Sequence, residues 1–135
     1  MSFCLIILAG GNSRRFKSNI GKPYQKIAGK SLIEINIYKA RQFKEIKKII
    51  VVYNKKDLKK IKSLKIKNVK LILGGISRQQ STFNALKYLQ KIKKISKVLI
   101  HDSARPNFSL KLFKSIIKNM KNAKAVIPAI DIQDA

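Results

Sequence analysis

The residues best suited to chemistry follow a short apolar run at the start of the chain. Phe3 to Leu8 are all apolar, and the sequence then changes abruptly to AGGNSRR at residues 9–15. Paired glycines after such a run predict a buried strand that enters a tight loop. Glycine lets backbone N–H groups approach phosphate oxygens, and arginine matches phosphate geometry. The segment fits a nucleotide triphosphate site, and it fits an ordinary strand-to-loop turn with exposed basic residues equally well.

Strand-like runs recur along the chain, and polar loops follow most of them. The runs are Phe3–Ala9, Ile49–Tyr53, Val69–Leu73, Val98–His101 and Ala125–Ile127. The third is followed by residues 74–81 (GGISRQQS), the fourth by residues 101–106 (HDSARP), and the fifth by Pro128, Asp131 and Asp134. Ligands of open α/β sheets bind outside the carboxyl ends of the strands. The sequence therefore predicts that these loops meet along one edge of a sheet.

Helix-like stretches separate most of the strand-like runs. Ser31 and Glu34 form a capping box that predicts a helix start, and Ser77 or Gln80 and then Ser109 predict two more. The expected inward face of the first helix carries Leu32, Ile35, Tyr38 and Phe43, that of the second carries Phe83, Leu86, Leu89 and Ile92, and that of the third carries Leu112, Phe113, Ile116 and Ile117. A further short helix is expected between Asp57 and Leu64. The strands show little polar alternation, which is typical of strands covered on both faces. The pattern predicts an α/β fold with a mostly parallel sheet and helices on both faces.

Length and composition predict one globular domain. The chain has 135 residues, of which 45% are hydrophobic, and its one cysteine, Cys4, lies inside the first apolar run. We interpret Cys4 as a core side chain, which is compatible with a reducing, cytoplasmic location. Phe3 to Leu8 is too short to span a bilayer, so no membrane partner is expected.

The formal net charge of +25 invites a nucleic-acid interpretation. The 31 basic residues include only five arginines, and the lysines are spread over nearly every predicted helix and loop. Such spread favours solvated helix faces, with salt-sensitive, nonspecific binding to polyanions. A catalytically inactive, basic nucleic-acid-binding domain is the alternative from another class. It would account for the charge but not for the polar loops.

With these segments in view, the chain resembles the 2-C-methyl-D-erythritol 4-phosphate cytidylyltransferase family. The resemblance runs from residue 3 to the end and rests on segments in the family's order. They are residues 8–16 (LAGGNSRRF), 22–30 (KPYQKIAGK), 74–81 (GGISRQQS), 101–106 (HDSARP) and 127–134 (IPAIDIQD). The first segment fits many nucleotidyltransferases, whereas the third and fourth together are specific to this group.

The resemblance implies a Rossmann-like nucleotidyltransferase fold of the nucleotide-diphospho-sugar transferase type. It also implies transfer of CMP from CTP to 2-C-methyl-D-erythritol 4-phosphate, with release of pyrophosphate. Arg15 and Lys22 fall on the family's catalytic positions, and Asp102 falls on the carboxylate associated with Mg²⁺. The implied nucleotide-binding residues are Ala9, Gly10, Gly11, Ser13, Gly75, Arg78, Ser81, Ser103 and Ala104. From the residues alone, Asp102 could instead pair with Arg105, and His101 could order its loop rather than act as an acid or base.

The sequence departs from the family's pattern at several positions. Ser13 stands where the family has its second loop glycine, and Ile76 stands where an aspartate often contacts the base. Family members continue well past Ala135, so the chain resembles the N-terminal nucleotide-binding part, residues 1–135, of one cytidylyltransferase domain, C-terminally incomplete. The resemblance also implies a homodimer, and in some members a fusion to 2-C-methyl-D-erythritol 2,4-cyclodiphosphate synthase. A cytidylyltransferase for another polyol phosphate, such as ribitol 5-phosphate, remains an alternative.

Overall fold

A four-stranded parallel sheet lies at the centre of the fold. The computed structural model describes residues 1–11 and 20–131. The sheet has the spatial order β5-β4-β1-β6. Its strands are β1 (Phe3–Ala9), β4 (Ile46–Tyr53), β5 (Lys70–Leu73) and β6 (Lys97–Asp102), and a two-stranded hairpin pairs β2 (Lys26–Ile27) with β3 (Lys30–Ser31). The helices are α1 (Leu32–Ala40), α2 (Leu58–Ser63), α3 (Arg78–Leu89) and α4 (Leu110–Asn119), with short 3-10 helices at Lys22–Tyr24 and Lys55–Asp57.

Helices cover both faces of the sheet. One face of β1 packs against α1, α2 and α4, and the opposite face packs against α3. Every residue of β1 is buried, so the first apolar run is the central strand of the core. This arrangement confirms the predicted α/β architecture with a parallel sheet covered on both sides.

The sole cysteine lies in the core, as predicted. Cys4 is fully buried, on the face of β1 that packs against α3. Burial raises the pKa of its thiol to about 12, and the positive charge of Lys48 acts in the opposite direction. A thiol that stays protonated is inert, which agrees with a packing role. Within the described residues, none of the helices has the length and apolar character needed to cross a membrane.

Serine side chains begin the three longer helices at the predicted positions. Ser31 and Glu34 complete a capping box on α1: the Ser31 Oγ accepts from the Glu34 N–H at 3.2 Å, and the Ser31 N–H donates to the Glu34 carboxylate at 2.8 Å. Ser77 caps α3 through the Gln80 N–H at 3.1 Å, which decides between the two predicted starts. Ser109 caps α4 in the same way.

The predicted inward faces of α1 and α3 are partly wrong. Tyr38 is 60% exposed and Phe83 is 61% exposed. The buried face of α1 instead includes Ile33, Ile37 and Ala40. Periodicity identifies an amphipathic helix, but neighbouring apolar residues leave its rotation open until the sheet is present to pack against. Phe113 and Ile117 of α4 are buried as predicted, whereas Leu112 is 40% exposed.

The fifth predicted strand, Ala125–Ile127, does not form. Residues 125–131 are irregular, and Ile127 and Ile130 are 84% and 91% exposed. A strand requires a hydrogen-bonded neighbour, and these residues pair with no strand in the described part of the chain. The apolar composition of residues 125–127 was therefore not enough to predict a strand.

Candidate active site

The carboxyl ends of the parallel strands meet along one edge of the sheet. Ala9 is in register with Tyr53, and Tyr53 is in register with Leu73. On the other side of β1, Leu8 is in register with Asp102. The chain order reverses at β1, because β4 and β5 lie on one side of it and β6 lies on the other. Such a reversal opens the crevice in which ligands of α/β sheets bind.

The loops after β1 and β5 are in direct contact around one buried serine. Ser81 is 4% exposed, and its Oγ lies 3.4 Å from the position that a Cβ on Gly10 would occupy. The same oxygen lies 2.9 Å from a Cβ placed on Gly74. The Asn54 side chain, at the end of β4, adds a hydrogen bond of 3.2 Å to the Gly10 carbonyl oxygen. The predicted convergence of the first and third loops is confirmed.

The turn at residues 74–77 is held by the first residues of α3. The Gly75 N–H donates to the Ser81 Oγ at 3.1 Å, and the Gly74 N–H donates to the Tyr53 carbonyl oxygen at 2.8 Å. The Ile76 N–H donates to the Gln80 side-chain oxygen at 3.3 Å, while the Ile76 side chain is 99% exposed. Ser81 therefore shapes the turn, and its predicted contact with a nucleotide stays a prediction.

An ion-pair cluster joins the loops after β5 and β6. The Asp102 Oδ1 accepts from Arg78 Nε at 3.1 Å and lies 3.1 Å from another guanidinium nitrogen of Arg78. Its Oδ2 lies 3.7 Å from Arg105 Nε. The Asp102 side chain is 36% exposed, and the two arginine side chains are 64% and 79% exposed. The pairing with Arg105 that we gave as an alternative is present, and Arg78 adds a second cation.

The segment between β6 and α4 is held mainly by side chains. Ser103, 2% exposed, donates its N–H to the Leu8 carbonyl oxygen at 3.0 Å, and Ala104 beside it is half-buried. The His101 ring nitrogen Nε2 lies 2.8 Å from the Arg105 carbonyl oxygen, and its ring meets Phe108 edge-on at 4.8 Å. Burial lowers the pKa of His101. This effect of burial is larger than the opposite effects of the backbone hydrogen bond and of the Asp102 charge, both of which raise the pKa. A neutral His101 that orders its loop is the role the sequence suggested.

Two residues of α1 that the sequence analysis missed also contact this segment. Asn36 is fully buried, and its Nδ2 donates to the Ser103 carbonyl oxygen at 2.8 Å. Lys39 Nζ donates to the carbonyl oxygens of Pro106 and Phe108 at 2.5 and 3.1 Å. Asn36 was detectable as the one amide on the apolar face of α1, between Ile33 and Ile37.

Lys22 occupies the first position of a short 3-10 helix whose other residues, Pro23 and Tyr24, are buried. The preceding Gly21 has φ +81°, a left-handed conformation that favours glycine. Lys60 holds the start of this segment, because its Nζ donates to the Ile20 carbonyl oxygen at 2.9 Å and pairs with the buried Asp57 at 3.1 Å. Lys22 itself is exposed on this anchored helix.

Several predicted residues either lie outside the described part of the chain or make no described contact at this edge. Ser13 and Arg15 lie outside the described residues, as does Asp134. Gly11 is exposed, and beyond its chain neighbours no atom of the described residues lies within 4 Å of the Cβ position it lacks. Pro128 and Asp131 follow the strand that does not form, so their predicted arrival at this edge is not seen.

Asp102 is the carboxylate at this edge that could hold a cation. Among the described residues, no group of three or more metal-binding side chains exists. Mg²⁺ bound through substrate phosphates needs only one or two protein carboxylates and completes its shell with phosphate oxygens and water. A carboxylate offers about four lone-pair sites, so the arginine contacts leave acceptor capacity on Asp102. The described residues therefore fit a phosphate-bound Mg²⁺ but not a cage built by protein alone.

The parallel sheet with helices on both faces has an α/β nucleotidyltransferase fold, the fold of the solved structures described below. The chain belongs to the IspD family, 2-C-methyl-D-erythritol 4-phosphate cytidylyltransferase, whose model matches residues 3–135. It is 48% identical over 134 residues to a bifunctional enzyme IspD/IspF of Pelagibacter ubique, covering 99% of this chain and 36% of that protein. It is 36% identical to the 2-C-methyl-D-erythritol 4-phosphate cytidylyltransferase of Thermosipho melanesiensis, covering 96% of this chain and 59% of that protein.

Solved structures show the same fold. The bifunctional IspDF of Campylobacter jejuni superposes with a TM-score of 0.83 at 29% identity, covering 99% of this chain and 34% of that one. The 4-diphosphocytidyl-2C-methyl-D-erythritol synthase of Anaerococcus prevotii gives a TM-score of 0.69 at 29% identity, covering 96% and 59%. The chain thus spans between about a third and three fifths of the length of these relatives.

Proposed function

We propose that this chain forms the CTP-binding part of an enzyme that transfers CMP from CTP to 2-C-methyl-D-erythritol 4-phosphate. The observation that carries the proposal is the family match over residues 3–135, which includes every loop at the switch-point edge. The Arg78–Asp102 contact supports it, because it joins two loops that are distant in sequence at the edge where a nucleotide would bind.

Under this proposal, the nucleotide lies across the loops that the fold brings together. Ala9, Gly10, Gly11 and Ser13 would lie against the triphosphate, where glycine admits the closest backbone approach. The cytosine and ribose would contact the second set of positions: Gly75, Arg78, Ser81, Ser103 and Ala104. The close packing of Gly10, Gly74 and Ser81 supports a single continuous surface.

The reaction proposed requires charge neutralisation more than covalent chemistry. A phosphate oxygen of the acceptor attacks the α-phosphorus of CTP, a new P–O bond forms, and the bond to the bridging oxygen of the leaving pyrophosphate breaks. Arg15 and Lys22 would neutralise the negative charge that builds on the phosphorus and the leaving group. No general base is needed, because a phosphate oxygen is already ionised at neutral pH. This agrees with a neutral, loop-ordering His101.

Asp102 would hold Mg²⁺ together with the phosphates of CTP. When bound, the ion supplies positive charge that screens the phosphate oxygens from one another. Arg78 and Arg105 keep Asp102 oriented at the sheet edge. Both guanidinium groups are mostly exposed, so their remaining N–H donors would be available to the phosphates of a nucleotide bound at this edge.

The second candidate acceptor is another polyol phosphate. The chain is 33% identical over 134 residues to a bifunctional ribulose 5-phosphate reductase/CDP-ribitol pyrophosphorylase of Haemophilus influenzae, covering 93% of this chain and 28% of that protein. The relatives with greater identity are IspD/IspF and 2-C-methyl-D-erythritol 4-phosphate cytidylyltransferases. We therefore favour the methylerythritol phosphate. A homodimer, a cytoplasmic location and nonspecific polyanion binding driven by the +25 charge belong to the same proposal.

The binding half of the proposal is tested by titrating the protein calorimetrically with CTP, with and without Mg²⁺, and with duplex DNA at moderate salt. We expect Mg²⁺-dependent binding of CTP, weakened about tenfold or more in Asp102→Asn. Asp131→Asn removes the same charge from an exposed position and serves as the control. Tight DNA binding without any CTP binding would favour the nucleic-acid alternative. An unaltered Mg²⁺ titration in Asp102→Asn would remove the metal role.

The catalytic half is tested by pyrophosphate release with either acceptor. Release with 2-C-methyl-D-erythritol 4-phosphate but not with ribitol 5-phosphate would support the favoured substrate, and the reverse would overturn it. Lys22→Ala should lower kcat far more than it weakens CTP binding, because the Lys22 charge matters most as negative charge moves to the leaving group. Lys26→Ala, an exposed lysine on the neighbouring hairpin, is the matched control. Wild-type turnover in Lys22→Ala would exclude Lys22 from catalysis.

A further inference from the structure

Side-chain donors hold the backbone carbonyl oxygens of the segment that follows Asp102. Asn36 binds the Ser103 oxygen, His101 binds the Arg105 oxygen, and Lys39 binds the oxygens of Pro106 and Phe108. Two backbone bonds lie at its start: the Ser103 N–H donates to the Leu8 oxygen at 3.0 Å, and the Arg105 N–H donates to the Asp102 oxygen at 3.1 Å. Because the segment forms neither helix nor strand, the side-chain donors add the contacts that hold it against α1 and β6.

Asn36 is an unusual residue for its position. It is fully buried on α1, and its Oδ1 has no hydrogen-bond partner among residues 1–11 and 20–131. A buried amide oxygen without a partner destabilises the fold, whereas an aliphatic side chain would pack there without this penalty. The amide orientation is fixed, because only Nδ2 can donate to the Ser103 carbonyl oxygen at 2.8 Å. The gain from Asn36 therefore lies in the hydrogen bond to the segment.

Lys39 lies three residues further along α1, on the same side of the helix as Asn36. Its ammonium group lies within hydrogen-bond distance of the oxygens of Pro106 and Phe108, and 4.9 Å from the centre of the Phe108 ring. Phe108 in turn packs against Phe113 of α4, with ring centres 5.1 Å apart. Lys39 thus ties the far end of the segment to α1, while Asn36 ties the near end.

We propose that Asn36 and Lys39 are positioning residues that fix segment 103–108 from α1, so that Asp102 and Ser103 form a preformed edge for the ligand. Neither residue lies on a loop of the site, and both act through the backbone of that segment. The nature of the ligand, CTP with Mg²⁺, rests on the function proposed above. The holding of the segment by α1 does not depend on it.

The test compares Asn36→Leu, Lys39→Met and their double variant by hydrogen–deuterium exchange and by CTP·Mg²⁺ titration. Asn36→Leu removes the donor but keeps an apolar packing volume, and Lys39→Met keeps the aliphatic stem of the half-buried lysine. Lys39→Arg should restore a cationic donor. Lys118→Met, an exposed lysine near the end of α4, is the control for the loss of one charge. If Asn36→Leu does not fold, Asn36→Ser and Lys39→Met carry the test.

We expect exchange of the hydrogen-bonded Ser103 and Arg105 amides to accelerate about threefold to tenfold in each single variant, which corresponds to the loss of one net hydrogen bond. Exchange in the β1 and β4 amides should stay at the wild-type rate. CTP·Mg²⁺ affinity should fall by a similar factor, and Lys39→Arg should recover most of both effects.

Unchanged exchange of the Ser103 and Arg105 amides would overturn the proposal whatever happens to affinity. Faster exchange with wild-type CTP affinity would overturn the claim that the order of this segment serves the ligand. If the wild-type protein binds no CTP, the proposed function fails instead, and the exchange rates still decide whether α1 holds the segment.

Discussion

Replacing Gly74 by alanine should destabilise the protein, because the site has no room for a methyl group. A Cβ at this position would lie 2.9 Å from the Ser81 Oγ, 3.2 Å from the Tyr53 carbonyl oxygen and 3.4 Å from a Val52 methyl carbon. The first distance is shorter than real Cβ contacts allow, and the second involves backbone that cannot rotate away. Both atoms belong to the packed edge between β4, β5 and α3.

Overpacking of this kind costs about 1–3 kcal/mol of unfolding free energy. The unfolding entropy is about 2.1 cal/mol/K per residue. For a chain of 135 residues this makes each kcal/mol worth about 3.5 °C in Tm. Gly74→Ala should therefore lower Tm by about 3–10 °C, measured by circular dichroism and checked by the shift in the urea midpoint.

Gly11→Ala is the matched control, because none of the described residues beyond its chain neighbours lies within 4 Å of the methyl group that it adds. Its stability should change by less than about 0.5 kcal/mol. Ser81→Ala removes the atom that would lie 2.9 Å from the new methyl group. Gly74→Ala should therefore lower Tm less when it is introduced into Ser81→Ala than when it is introduced into the wild-type protein. Equal Tm values for Gly74→Ala and Gly11→Ala would refute the reasoning, since contact at the sheet edge would then have no energetic consequence.

Two further predictions concern the elements that carry the site. Ser31→Ala removes a capping box whose serine is fully buried and should cost about 2 kcal/mol in urea unfolding, whereas Ser109→Ala, an exposed cap, should cost about 1 kcal/mol or less. Equal losses would contradict the argument from burial. Because burial lowers the pKa of His101 in the folded protein, the unfolded state binds more protons below about pH 6.5, so stability should fall as the pH drops from 7 to 5. His101→Gln removes the only histidine and should flatten this profile; an unchanged slope would assign the pH dependence to other groups.

The sequence alone was sufficient for the elements with strong local signals. The run from Phe3 to Ala9 is the central strand, because unbroken apolar residues can be satisfied only by burial on both faces. Ser31, Ser77 and Ser109 mark helix starts, because a cap depends on residues within one turn of it. The parallel sheet and the meeting of the first, third and fourth loops followed from strand–helix alternation.

Contacts between distant segments could be found only in the tertiary structure. The sequence predicted that Asp102 lies at a strand end, but the choice of Arg78 as its nearer partner, 24 residues away, depends on how α3 packs over β1 and β4, which brings the start of the helix to the end of β6. The rotation of α1 was mispredicted, which hid Asn36 and its contact with Ser103, 67 residues away. The strand at 125–127 was wrong, because apolar composition cannot show whether a pairing partner is present.

One physical reason separates the features that the sequence predicts from those that only the structure shows. Capping, apolar burial and glycine turns depend on a few neighbouring residues, so a short stretch of sequence is enough to predict them. Helix rotation, strand pairing and ion-pair choice depend on which surfaces meet after the chain has folded, and many arrangements share the same local pattern. The sequence by itself determined which residues could serve a nucleotide, and the tertiary structure decided which of them stand together and which side chains of α1 hold them there.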